Sequence, residues 1–85
     1  MKEFILKVRS YLSDREQDVY EFSGWLEFYL LDHYEEMRRE APEATQILNE
    51  EIPDICSEIE PGDDDTEFRE KLKAEFDRAM VYYNK

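Results

Sequence analysis

Apolar residues return along this chain at intervals of three and four. Phe4, Ile5, Val8, Tyr11 and Leu12 fall on one helical face, which predicts a short first helix over residues 3 to 12. Ser13 stands three residues before Glu16 in a Ser-x-x-Glu capping box, where each side chain satisfies a free amide of the other residue. A second helix is therefore expected from about Asp14. Its stripe is Val19, Phe22, Leu26, Tyr29, Leu30, His33 and Met37, and it can run to about Glu40. Trp25, Phe28 and Leu31 point off that stripe, so the middle of this helix is apolar nearly all round. It is either the most central helix of the fold or partly exposed as a contact surface.

Pro42 suits the first turn of a third helix, where its missing N–H has no partner to lose. Ala44, Leu48, Ile52, Ile55, Cys56 and Ile59 then share an arc of about 120°. Pro53 interrupts the hydrogen-bond ladder but not this period, so a kink or a restart is expected there. Pro61-Gly62 closes the segment. Asp64 or Asp65 caps a fourth helix whose core face is Phe68, Leu72, Phe76, Ala79, Met80 and Tyr83. No strand-like alternation and no internal repeat interrupts these four amphipathic segments. Each must bury its stripe on the others, which predicts an all-α fold: one domain over residues 1–85, a compact and mostly antiparallel four-helix bundle.

Charge changes the picture more than composition does. The formal net charge is −12. Ten acids (Glu43, Glu50, Glu51, Asp54, Glu58, Glu60, Asp63, Asp64, Asp65 and Glu67) lie between residues 43 and 67, with no Lys or Arg among them. On the third helix, Glu43, Glu50, Glu51, Asp54 and Glu58 stand opposite the core arc around Ile47. Like charges one turn apart repel by a few tenths of a kcal/mol per pair. An ordinary solvated face relieves that repulsion with interspersed bases, and this one does not. The field attracts cationic partners and disfavours direct binding to the phosphates of nucleic acid.

Other chemistry is thinly represented. Asp63, Asp65 and Glu67 occupy the first, third and fifth places of a calcium loop, but Phe68 stands where glycine is required and Ala74 where the closing glutamate should be. The single His33 cannot supply the paired Glu-x-x-His motifs of a di-metal bundle. It reads as a core or boundary residue. Cys56 lies on the core arc and reads as a small hydrophobe. No phosphate loop and no Ser/His/Asp set is visible, so the expectation is a binding protein that is not an enzyme and needs no metal or cofactor. No apolar run approaches the ~20 residues of a membrane span. With one cysteine and no signal-peptide pattern at the N-terminus, a cytoplasmic location is expected.

Several islands of the sequence carry a resemblance. In order they are Tyr11-Leu12, Glu21-Phe22-Ser23, Ile47-Leu48-Asn49, and Glu60-Pro61 followed by aspartates and a closing amphipathic helix. Their spacing resembles that of the colicin D immunity protein and its relatives. The resemblance implies a small acidic bundle that blocks the basic active site of a nuclease toxin cleaving tRNA. It places the toxin-facing acids at the end of the third helix and in the loop after it: Glu58, Glu60 and Asp63, with Asp64 and Asp65 adjacent. Joined to the ridge residues Glu50, Glu51 and Asp54, these form the expected toxin-binding surface of a monomer or homodimer. The alternative reading is a small acidic adaptor or structural protein that assembles through Trp25, Phe28 and Leu31.

Overall fold

A computed structural model describes residues 1–14, 17–59 and 65–84. Within them the chain forms α1 (Lys2–Ser13), α2 (Val19–Glu40), α3 (Pro42–Ser57) and α4 (Thr66–Tyr83), with no strand among the described residues. The four helices form an all-α bundle. Its radius of gyration is 12.1 Å, close to the roughly 12 Å expected of a compact chain of this length.

Neighbouring helices run antiparallel, as the cross-helix contacts show. Along α1 and α2, Tyr11 stacks on Phe22 with ring centroids 3.9 Å apart, while Phe4 meets Trp25 and Tyr29. Along α2 and α3, the Cys56 thiol donates to the Ser23 carbonyl at 3.6 Å. Along α3 and α4, Lys71 reaches Glu58. The core joins Phe4, Val8 and Tyr11 of α1 to Leu26 and Met37 of α2, Leu48 and Ile52 of α3, and Leu72 and Ala79 of α4, all essentially inaccessible to water.

The junction of α2 and α3 is a single residue. Ala41 leaves the helical region (φ −146°, ψ 79°), its N–H donates to the Met37 carbonyl at 2.8 Å, and its own carbonyl accepts from Thr45 N–H at 2.9 Å. Pro42 forces this, because its ring crowds the preceding residue out of the α region while opening the next helix itself. Pro53 stands on the exposed side of α3, and the helix continues through it without a restart. Water can serve the Asn49 carbonyl that Pro53 leaves without a donor.

Two expectations are corrected. The second helix starts at Val19 rather than near Asp14: α1 continues through Ser13, whose hydroxyl donates back to the Arg9 carbonyl at 2.9 Å, and Asp14 ends it in an extended conformation. The cap is Asp18, whose carboxylate accepts from Glu21 N–H at 3.0 Å. Asp18 and Glu21 have the same spacing as Ser13 and Glu16, and aspartate caps as well as serine does. Glu16 lies outside the described residues. Trp25, in turn, does not belong to an outward surface. It is half-buried between Phe4, Phe22 and Tyr29, under the Lys7 ammonium, whereas Phe28 and Leu31 are exposed.

Thr45 is fully buried and its hydroxyl has no hydrogen-bond partner among the described residues. An unsatisfied buried hydroxyl costs about 1–3 kcal/mol. Thr45→Val, close in shape and without the hydroxyl, is expected to stabilise the bundle by about 1 kcal/mol, measurable as a rise in denaturation midpoint at unchanged slope. A loss of stability would show that the hydroxyl is satisfied.

Candidate functional site

The exposed surface of α3 divides by charge. Successive side chains rotate by about 100°, and the partners named above fix the directions: Cys56 faces α2, while Glu51, Asp54 and Glu58 line a cleft against α4. The four acids of α3, Glu43, Glu50, Glu51 and Asp54, and its C-cap Glu58 fall within about 100° of arc on the α4 side. Ile47, partly buried, stands among them. The flank toward α2 carries Pro42, Gln46, Asn49, Pro53 and Ser57 and no charge.

Glu50, Asp54 and Glu58 follow one another at four-residue intervals, so each repels the next with no cation between them on α3. Asp54 and Glu50 are exposed. Glu50 accepts a hydrogen bond from the Gln46 amide at 3.2 Å. A cleft of about 310 Å³ opens between Glu51, Asp54, Ile55 and Glu58 of α3 and Lys71, Ala74 and Glu75 of α4. Lys71 is its cation. The ammonium bridges Glu58 at 2.8 Å and Glu67 at 3.0 Å, and these two hydrogen bonds raise its pKa. The Glu67–Lys71 pair is legible from its four-residue spacing; the Glu58–Lys71 pair is tertiary and is not. Across the wall of the cleft, Glu75 pairs with Arg78 at 3.4 Å.

Of the eight predicted site residues, Glu50, Glu51, Asp54 and Glu58 are brought together on this face. Glu60, Asp63 and Asp64 lie outside the described residues, the last two being the start of the calcium-like run. Asp65 is elsewhere engaged. Its carboxylate accepts from Arg69 Nε at 2.5 Å and from the Tyr11 hydroxyl at 3.0 Å. Burial alone would raise its pKa, but the hydrogen bonds from Arg69 and Tyr11 outweigh burial and hold it below the usual aspartate value. Asp65 occupies the N-cap position of α4 without a side-chain cap bond, because its carboxylate is turned toward α1. It therefore serves the fold, and a cationic partner would compete with Arg69 for it.

Burial pushes the Cys56 thiol up to about 12, with Glu27 adding to the effect, so it stays protonated near neutral pH. His33 sits at the boundary, stacked on Tyr29 at 4.2 Å beside Asp32 and Glu36. Among the described residues no group of three His, Cys, Asp or Glu side chains could hold a metal ion, and no helix is long and apolar enough to cross a membrane. Compared with protein-family models, curated proteins and solved structures, the chain finds no match in any of the three.

The Asp65 network has a pH signature. A carboxylate whose pKa is lower folded than unfolded contributes stability above its unfolded value, about 4 for aspartate, and loses it as pH falls through the folded value. Tyr11→Phe should cost about 1–2 kcal/mol at neutral pH. It should also flatten the acid limb of the stability curve, since the folded carboxylate then binds protons more readily. Equal acid limbs for parent and variant would show that the hydroxyl contributes nothing to Asp65.

Proposed function

We propose that this protein is an immunity protein or antitoxin of the colicin D immunity type, which occludes the basic active site of a nuclease toxin domain. The acids of α3 would replace substrate phosphates there. The reading rests on one observation above all: every acid of α3 stands on a single flank, beside a cleft, and the other flank has none. Solubility alone is served by charge on any side of a helix, and segregation adds repulsion without adding hydration. A cationic protein surface removes that repulsion on binding, and the concentrated field speeds its approach.

Glu50, Glu51 and Asp54 are the anchors in this reading. Asp54 and Glu50 are exposed and have no cation partner among the described residues, and Glu51 lines the cleft with Asp54. Glu58 contributes after exchange, since an incoming arginine or lysine competes with Lys71 for its carboxylate. Ile47 gives the centre of the surface an apolar contact, which charged rims alone lack. Glu60, Asp63 and Asp64 follow Glu58 in sequence and lie outside the described residues. The protein performs no catalysis in this reading. It needs no cofactor, and its place is the cytoplasm of the cell that makes the toxin.

The double substitution Glu50→Lys, Asp54→Lys should leave the bundle folded, because both residues are exposed. Binding to the cognate domain, found by screening basic nuclease toxins including tRNA-cleaving ones, should weaken by about 2–5 kcal/mol. The parent's association rate should fall steeply with salt, and the variant's much less. Reversals of Glu3 and Glu70, exposed and away from the face, should change little. If the double variant protects cells from the toxin as well as the parent does, the acidic flank is not the binding surface.

A further inference from the structure

The exposed face of α2 carries a second pattern, independent of the acidic flank. Tyr20, Phe28 and Leu31 are 51, 71 and 83% exposed, unusually open for large apolar side chains on one helix face. Between them lies Gly24, in helical backbone, where an added Cβ would meet nothing within 4 Å. Nothing inside the chain calls for glycine there, although glycine weakens a helix interior relative to alanine. A missing side chain on an outward face is of use to something that approaches from outside.

We propose that this face is a self-association surface, on which two copies of the chain pack their α2 helices antiparallel about a two-fold axis midway between Phe28 and Leu31. The charges along the helix select this partner and this register. The midpoint is at 29.5. Glu21 and Tyr20 stand 8.5 and 9.5 residues before it, and Arg38 and Arg39 stand 8.5 and 9.5 after it. At about 100° per residue, Tyr20 and Arg38 share one flank of the face, Glu21 and Arg39 share the other, and Gly24, Phe28, Leu31 and Glu35 lie between.

Such an axis sets each flank against the same flank of the other copy. Glu21 then meets the second copy's Arg39, and the Tyr20 ring meets its Arg38, each within about 1.5 Å of level along the helix. Glu35 passes over the second copy's Gly24, where the absent side chain leaves room. Phe28 stands level with the second copy's Leu31, and these pairs close the centre. At a shallow crossing of about 20°, the helices diverge by about 5 Å at the arginines, within the reach of the side chain.

Neither arginine has an ion pair or hydrogen bond among the described residues, nor does the Glu21 carboxylate. Their place in the last turn of α2 also suits the helix dipole, but the dipole sets no preference of face. Net repulsion between two acidic chains is eased by the same segregation seen on α3. The α3 flank beside α2 is the uncharged one of Asn49 and Pro53, and the α3 acids stand on the α4 side, where salt at physiological ionic strength screens exposed charges over about 8 Å.

Sedimentation of the full chain at physiological ionic strength tests the proposal. The parent should show a concentration-dependent dimer. Phe28→Glu should sediment as a monomer, and at a dilution where the parent is also monomeric the two should melt alike by circular dichroism. Gly24→Leu should melt no lower than the parent yet associate more weakly, a combination that loss of folding does not produce. Glu21→Arg and Arg39→Glu should each raise the dissociation constant by about tenfold or more. Mixed together, these two variants should form a heterodimer tighter than either homodimer, because both contacts become complementary. A parent that stays monomeric up to millimolar concentration, a dimer indifferent to these substitutions, or a mixture no tighter than its components would each overturn the proposal.

Discussion

The Arg69 side chain is largely removed from water, and the way it is satisfied ties the end of α1 to the start of α4 at one end of the bundle. Its Nε meets Asp65, one terminal nitrogen donates to the Tyr11 carbonyl at 2.5 Å, and the other donates to the Asp14 carbonyl at 2.8 Å. The same group lies over the Tyr11 ring, 4.1 Å from its centroid. A cation drawn mostly out of water needs its donors paired, and here the pairing comes from the last carbonyls of α1 and the cap residue of α4. Those carbonyls are the ones a helix end leaves without partners. One side chain thus closes the end of α1, fixes the start of α4 and holds the Tyr11 ring against Phe22 and Phe68. The short α1, which buries only one face, depends on that anchor to stay docked.

This anchor also bears on the acidic segment. The run from Asp63 to Asp65 reads in sequence as a uniform patch of carboxylates, yet its last member is held by Arg69 and Tyr11 and faces α1. The acids available to a partner are those not already engaged by a base inside the bundle, chiefly on α3. Charge clustering in a sequence therefore overstates a binding surface wherever one of the clustered groups is needed to satisfy a buried cation. The signal was present four residues later, in Arg69, but the decisive partner was Tyr11, 54 positions away.

The sequence made the helices legible because burial follows periodicity: the stripes of α3 and α4 name nearly the whole of their buried faces, and Pro42 marks the junction with α2. Its weaknesses are local competition and distance. Ser13 and Asp18 offer equivalent caps, and local chemistry does not decide between them. The structure favours Asp18, and α1 runs on to bury Tyr11 beneath Arg69. Trp25 stands off the helical stripe yet is half-buried, because α1 packs against that side of α2 with Phe4, a contact no spacing reveals. On the acidic face, Glu50, Glu51, Asp54 and Glu58 were all identifiable from one helix wheel. The closing of Glu58 by Lys71 was not, since it joins two helices.

A small bundle has few faces to offer, and this one divides them by charge. α3 separates an acidic flank beside α4 from an uncharged flank beside α2, and beyond Glu27 of α2 lies the apolar face of that helix, with Arg38 and Arg39 near one end. The division lets two kinds of contact coexist without competing for residues. A cationic partner approaching the α3–α4 cleft meets a strong field, while a second copy approaching α2 is shielded from most of it by the body of the bundle. Pairing through α2 would leave both acidic flanks free and pointing away from the shared axis. Each copy could then engage its own partner, and occupation of one surface would not require the other to open.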